Sequence, residues 1–405
     1  MLALFEFRNG KKSLPWLRYI LSFLLILLLS SSFIKCAIAQ DYLKWDRFRI
    51  KAALSVSEYY SNNIYRTYQD ERDDFITQLN PELELKIALT KGSWIDLSYM
   101  GIFNHYSEAD NFRSDHHFGG INYGIESSKE SLFQLGIRFE DSAGQPNSIY
   151  DESKDFWLNE IYSDLEWKIT PITSLEAGYK HTVRNFDKER YQQDDYIQDN
   201  VSLSILHTRS QKLPLLLEYR FEKQVKDKIQ PESNELIYHA LLAGCRWRPE
   251  RRLSGTLELG YFWSQFNQID AYDGWMIDAD LLYRISAFTD ITMSAERVTR
   301  VSYYAARDTL DYYIYSGFGL TLVYRRFNPL VLSVEGAYEN RAFRLITSET
   351  TSRDDDLYRM SILSDYQLKK WLALSFGYSY RTNQSSVILQ EYKENLFQFE
   401  VVFSI

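Results

Sequence analysis

Charged side chains recur at alternate positions along much of this 405-residue chain. Arg49 and Lys51, Glu82 and Glu84, Glu218 and Arg220, and Asp278 and Asp280 are each separated by one residue. Arg138, Glu176, Lys180, Arg359 and Arg381 continue the series in segments of the same kind. A spacing of two puts side chains on one face of an extended strand. Interspersed charges of both signs suit a hydrated wall that screens solutes, and equally a network of structural ion pairs across a narrow interior. Both readings stay open at this level.

Other chemistry is thin. His116 and His117 are adjacent, so in a strand they point to opposite faces and do not form a metal site. The remaining histidines, 105, 181, 207 and 239, are scattered, and no serine or acid stands beside one in a nucleophile motif, so the chain does not read as an enzyme. The clusters Asp70-Glu71-Arg72-Asp73-Asp74 and Arg353-Asp354-Asp355-Asp356 lack the ligand and glycine spacing of a calcium loop and read as solvated loop charge. No cofactor is expected.

The elements that must carry these residues follow from the apolar positions. In Phe75–Leu89, Phe75, Leu79, Leu83, Leu85, Ile87 and Leu89 share one parity, opposite Gln78, Asn80, Glu82, Glu84 and Lys86. A strand sorts these into two faces, whereas a helix would scatter them. The closing segment repeats the pattern, with Phe397, Phe399, Val401, Phe403 and Ile405 opposite Gln398 and Glu400. About eighteen such segments fill the chain, at 46–60, 74–89, 93–106, 114–127, 130–141, 155–169, 172–185, 195–209, 213–225, 234–248, 252–266, 273–285, 288–302, 312–325, 329–343, 356–368, 371–384 and 392–405.

Short connections, such as 91–92, 128–129, 170–171, 211–212, 249–251, 327–328 and 369–370, alternate with long ones, such as 61–73, 107–113, 142–154, 186–194, 226–233, 303–311, 344–355 and 385–391. Short periplasmic turns alternating with long extracellular loops are the habit of a transmembrane barrel. On the apolar parity, Trp167, Trp247, Tyr283, Tyr324 and Tyr366 lie beside short turns. Trp157, Tyr179, Tyr261, Trp263, Trp275, Tyr338 and Tyr378 lie towards long loops. Two girdles at opposite strand ends are what interface-seeking aromatic rings produce. The expected fold is therefore all-β, a transmembrane antiparallel up-and-down β-barrel of about 18 strands with both termini in the periplasm.

The N-terminus reads as an export signal. Arg8, Lys11, Lys12 and Arg18 precede the apolar run Leu21–Leu29, and Ala37-Ile38-Ala39 offers a cleavage site before Gln40. This gives a signal peptide at 1–39 and one barrel domain at 40–405. Cleavage takes out five basic residues and one acidic residue, so the formal charge moves from -9 to -13. That acidity argues against a nucleic-acid partner, and in a pore it would favour cations. Only Cys245 of the two cysteines remains, so no intramolecular disulfide is expected. No further apolar stretch is long enough for a transmembrane helix. The expected surroundings are outer-membrane lipid and lipopolysaccharide, reached through the outer-membrane assembly machinery.

Two stretches carry a resemblance beyond barrel physics. One is Ser61-Asn62-Asn63-Ile64-Tyr65-Arg66 followed by Asp74–Leu83; the other is Gly377–Ser386 followed by Tyr392-Lys393-Glu394-Asn395. Both resemble the outer-membrane β-barrel porin family whose members accompany exopolysaccharide-synthesis loci. The resemblance implies a porin-like role in the bacterial outer membrane, with exopolysaccharide or smaller saccharides and solutes as cargo. It brings polysaccharide-export components into view as partners and carries over no catalytic residues. The alternative is a non-conducting structural or assembly component of a surface-polysaccharide apparatus. The chain departs from outer-membrane habit in ending on Ile405 rather than an aromatic residue.

Overall fold

The computed structural model describes residues 43–109, 111–112, 115–127, 131–144, 153–208, 214–226, 234–247, 252–266, 271–301, 312–344 and 353–404. The signal segment 1–39, the connections 128–129, 211–212, 249–251 and 303–311, most of loops 142–154, 226–233 and 344–355, and Ile405 lie outside the described residues.

Nineteen strands are described: β1 Leu43–Trp45, β2 Phe48–Ser61, β3 Asp74–Thr90, β4 Ser93–Tyr106, β5 Asp115–Glu126, β6 Leu132–Gly144, β7 Lys154–Thr170, β8 Thr173–Phe186, β9 Tyr196–His207, β10 Leu215–Lys226, β11 Asn234–Trp247, β12 Leu253–Phe266, β13 Tyr272–Ser286, β14 Thr289–Val301, β15 Tyr312–Tyr324, β16 Leu330–Arg344, β17 Asp354–Lys369, β18 Leu372–Ser385 and β19 Tyr392–Ser404. From β2 to β19 every neighbour in sequence is an antiparallel neighbour in space, and β19 pairs with β2 to close the ring. The expected eighteen-strand barrel is therefore the observed one. The three-residue β1 was not anticipated. It pairs with Phe48–Ile50, the part of the β2 edge that lies before the Ala53–Ser61 segment held by β19. An uncovered edge would leave backbone donors and acceptors unpaired, and β1 supplies their partners.

The short turns share a local device. In three of them a Thr or Ser at the end of the incoming strand accepts the backbone N–H two residues on: Gly92 to Thr90 at 3.3 Å, Ile172 to Thr170 at 3.3 Å and Phe288 to Ser286 at 3.1 Å. Each is accompanied by a one-residue register shift, as is the Lys369 turn. The hydroxyl replaces a backbone partner while the bulge tightens strand twist at the rim. Gly255, at φ 123°, sits where a Cβ would lie 1.9 Å from the Asp280 carbonyl oxygen, so only glycine allows β12 and β13 to approach there.

The outer surface is the inverse of a soluble protein. Ile121, Ile137, Ile161, Leu203, Leu241, Leu259, Phe318 and Met360 are exposed on the outward parity, forming the apolar belt that lipid covers. Trp167, Tyr283 and Tyr366 are exposed at its lower rim, and Trp157, Tyr179, Tyr261, Trp263, Trp275, Tyr338 and Tyr378 at its upper rim, as the two girdles require. Upper-rim phenols are hydrogen-bonded to neighbouring strands: Tyr179 to Asp199 at 2.8 Å, Tyr338 to Asp356 at 2.7 Å and Tyr378 to Asn395 at 2.8 Å. A ring with an apolar body and a satisfied polar tip is suited to the membrane–water boundary.

Candidate functional site

The lumen wall is built from the parity opposite the lipid belt, so its residues are fixed by strand geometry. All thirteen candidate wall residues fall on that parity. Arg49 is exposed near the periplasmic end of β2, and Lys51 pairs with Glu84 at 3.1 Å. Glu82 and Glu84 border a cavity of about 570 Å³ that Arg138 also reaches. Arg138 and Lys180 converge on Glu160, at 3.1 and 3.6 Å, and the Arg138 guanidinium lies 4.5 Å over the Tyr162 ring. Glu176 meets Arg246 at 2.5 Å. Arg220 is a hub, reaching Glu218 at 2.7 Å, Glu258 at 2.8 Å and Asp278 at 2.9 Å. Asp280 is exposed on the same β13 face. Arg359 lies 3.6 Å from both Glu335 and Glu339, and Arg381 lies 3.9 Å from Glu394.

Glu160 and Glu339, which organise two of these clusters, share parity with Asp164 and Glu335, so the alternation already contained them. What alternation does not contain is the first long loop. Asn63, Ile64 and Tyr65 are buried, and Arg66, at φ 53°, reaches the inward-facing Glu394 of β19 at 2.9 Å. The loop is tied at several points. Asn63 Nδ2 donates to the Lys393 carbonyl at 3.0 Å, Asn62 N donates to the Asn395 carbonyl at 3.2 Å, and Asn395 N donates to Asn62 Oδ1 at 2.6 Å. Ser61 Oγ adds a bond to Glu394 at 3.0 Å, and Tyr65 Oη adds one to Asn111 at 2.7 Å. The two short sequence stretches that stand out by resemblance, 61–66 and 392–395, are therefore one contact across the closing seam. Inside the mouth they border a cavity of about 320 Å³ shared with Gln78, Asn104, His116 and Arg381.

The acidic clusters turn out to be structural at their buried members. Asp74 accepts backbone N–H groups from Phe75 at 2.8 Å, Ser107 at 3.1 Å and Ala109 at 2.9 Å, clamping the next loop. Asp355 is buried against Arg353 and accepts from Ser385 at 2.6 Å. His116 faces inward against Ser142 at 3.0 Å while His117 faces outward against Tyr99 at 2.9 Å, on opposite faces as expected. No cluster suited to a metal ion occurs among the described residues.

One arc of the wall departs from the charged lumen that the sequence suggested. On β11–β13 the inward residues Tyr238, Ala240, Leu242, Phe262 and Met276 form a buried apolar cluster with Tyr272 and Val298 against it. Tyr238 and Phe262 stack at 5.6 Å, and Phe262 meets Tyr272 at 5.7 Å. The signal was present in Leu236–Leu242, which apart from His239 is apolar on both parities, because a strand with lipid on one face and an apolar patch on the other loses its alternation.

The arrangement as a whole is a lipid-facing barrel with charged side chains on most of its inward face and an apolar patch on one arc. Residues 238–405 match the family model "Putative beta-barrel porin 2". Among solved structures, Pseudomonas aeruginosa OccK2 (OpdF) is similar at a TM-score of 0.50 and 11% identity, over 90% of this chain and 100% of that one. Acinetobacter baumannii OccAB3 is similar at a TM-score of 0.49 and 11% identity, over 88% and 99%. Pseudomonas aeruginosa OpdK, solved with vanillate, is similar at a TM-score of 0.49 and 9% identity, over 88% and 99%. No curated protein matches the chain in sequence. The family match and the outward apolar belt place this porin-like barrel in the bacterial outer membrane.

Proposed function

We propose that this outer-membrane barrel of porin-like fold is a channel for hydrophilic solutes, with saccharides, including exopolysaccharide, as cargo. The observation that carries the reading is the solvation of the wall. Arg138 and Lys180 keep their charged heads exposed beside cavities of about 570 and 380 Å³. A filled interior would bury such heads in closed ion pairs, and desolvating them without full compensation is costly. Interspersed charge, phenols and amides on this wall are suited to hydrated, hydroxyl-rich solutes. The chain would reach the membrane through the outer-membrane assembly machinery and would work beside polysaccharide-export components.

The second reading, a non-conducting structural component, is favoured by the inward-tied first loop and the dry arc on β11–β13, since both narrow the mouth. Reconstitution separates the two. Heat-modifiable, folded protein in planar bilayers should give stepwise conductance, and its absence would leave the structural role. Swelling of proteoliposomes in sugars of increasing size then reads the cargo: saccharide entry supports the finer reading, and exclusion of all sugars in the face of ion conductance removes it.

A further inference from the structure

The cavity of about 320 Å³ at the mouth is bordered by Ile64 and Arg66 of the first loop and by the inward face of β2–β5. Its size falls within the range of small-molecule sites, about 300–1,000 Å³. Strand register sorts its lining into two rows. Tyr59, Ile76 and Tyr106 stand opposite one another on β2, β3 and β4, and Gln78 and Asn104 form the next inward pair below them. Phe112 extends the upper row. Its ring stacks on Tyr106 at 4.7 Å and meets Tyr65 of the loop at 5.4 Å. An aromatic shelf therefore lies above an amide row, with Arg66 and Arg381 on the seam side.

Two of the lining groups carry donors that the fold leaves unmatched. Gln78 accepts from Tyr59 at 3.3 Å and from Asn80 at 3.0 Å, and donates to Asn104 at 2.7 Å. That relay ends on Asn104, whose Nδ2 donates to none of the described residues. Arg381 has a buried Nε with no hydrogen-bond partner among the described residues, and its Nη1 stands 3.9 Å from Glu394, beyond hydrogen-bond reach. Buried donors without acceptors are costly and rare, and they call for a partner from outside the fold. Net charge does not set the preference here. Arg66 and Arg381 stand beside Glu394, Asp74 lies on the same inward face of β3, and further round the wall Glu140 faces Arg184. What the cavity offers is directed donors beside aromatic rings. A neutral pyranose matches both, because its hydroxyl rim accepts hydrogen bonds while its C–H face packs on a ring. We infer that this cavity is a saccharide-binding subsite at the mouth of the channel, taking a neutral hexopyranose unit. Asn104 and Arg381 hold its hydroxyls, and Tyr59 and Tyr106 pack against its ring. The inference rests on the channel reading above and gives its cargo a first place to bind.

Sugar block of the reconstituted full-length barrel tests it. Maltohexaose should interrupt the single-channel current in discrete, concentration-dependent events, whereas polyethylene glycol of equal mass should not. Asn104→Ala and Arg381→Lys should each weaken the block about tenfold, the second with its charge kept. Heat-modifiable mobility and sugar-free conductance matching the unsubstituted protein would separate a lost contact from a lost fold. Tyr338→Phe, on the lipid-facing rim, should leave the block unchanged. Equal response to maltohexaose and polyethylene glycol, or undiminished block in either folded variant, would overturn the subsite while the channel stands. Absence of conductance steps from folded protein would remove the channel and the subsite's role together.

Discussion

Two buried stretches of the upper lumen lie well apart in the eighteen-strand ring, the β19–β2 seam and β11–β13, and they are buried by different chemistry. At the seam of β19 and β2 the inward face is covered by a loop held through hydrogen bonds and the Arg66–Glu394–Arg381 cluster. At β11–β13 the inward face covers itself with Tyr238, Leu242, Phe262 and Met276. The first arrangement is directional and depends on each partner being present. The second is area-driven and tolerates no loss of volume. A barrel wall determines which residues point inward, and these two arcs show that it leaves open what fills the space they point into.

Removing volume from the dry arc should have the largest effect. Phe262 is fully buried, and Phe262→Ala should lower stability by about 3–5 kcal/mol, read from urea unfolding of the barrel in lipid vesicles by tryptophan fluorescence. A loss below about 1 kcal/mol would mean that the arc is a loose surface rather than a packed patch, and the contrast with the seam would disappear. Single-channel conductance of the same variant should rise, because the lost ring widens the mouth.

Breaking the seam should cost less, since both arginines keep part of their hydration. Glu394→Gln leaves Arg66 and Arg381 side by side without their shared charge, and should cost about 2 kcal/mol in the same unfolding assay. Its sharper signature is noise. With the first loop released, conductance should flicker between levels at low salt, whereas Phe262→Ala should remain quiet. Combining Glu394→Gln with Arg66→Gln should recover part of the stability, because the second change removes a cation that the first left unpaired.

The smallest change is at the tip of that loop. Tyr65→Phe removes the 2.7 Å bond to Asn111 while keeping the ring, and should cost about 1 kcal/mol. Limited proteolysis within 62–73 should accelerate while the rest of the barrel stays protected. Equal acceleration elsewhere would show that the loop is not an independent tether.

The candidate wall residues were legible in the sequence because a period of two is a geometric rule that holds along every strand. Lys51 and Glu84, or Arg138 and Lys180, needed only parity to be placed on the lumen side. Their grouping was not legible. Lys180 meets Glu160 because β7 and β8 pair Glu160 with Thr182 and Tyr162 with Lys180, a register that the connecting turn and its bulge decide. Arg66 was out of reach for a stronger reason. A loop has no alternation to read, and its partner Glu394 lies 328 residues away.

By itself the sequence determined the class of fold, the strand order, the lipid-facing belt with its two girdles, and the parity of each charge. These are local consequences of backbone geometry and of apolar surface avoiding water, repeated along the chain. Only the tertiary structure decided that the first loop enters the mouth, that β11–β13 carry a dry arc, and that Arg138 and Lys180 meet at Glu160. Those outcomes depend on ring closure, which brings β2 to β19 and sets side-chain depth across strands, and no stretch of chain contains that information alone.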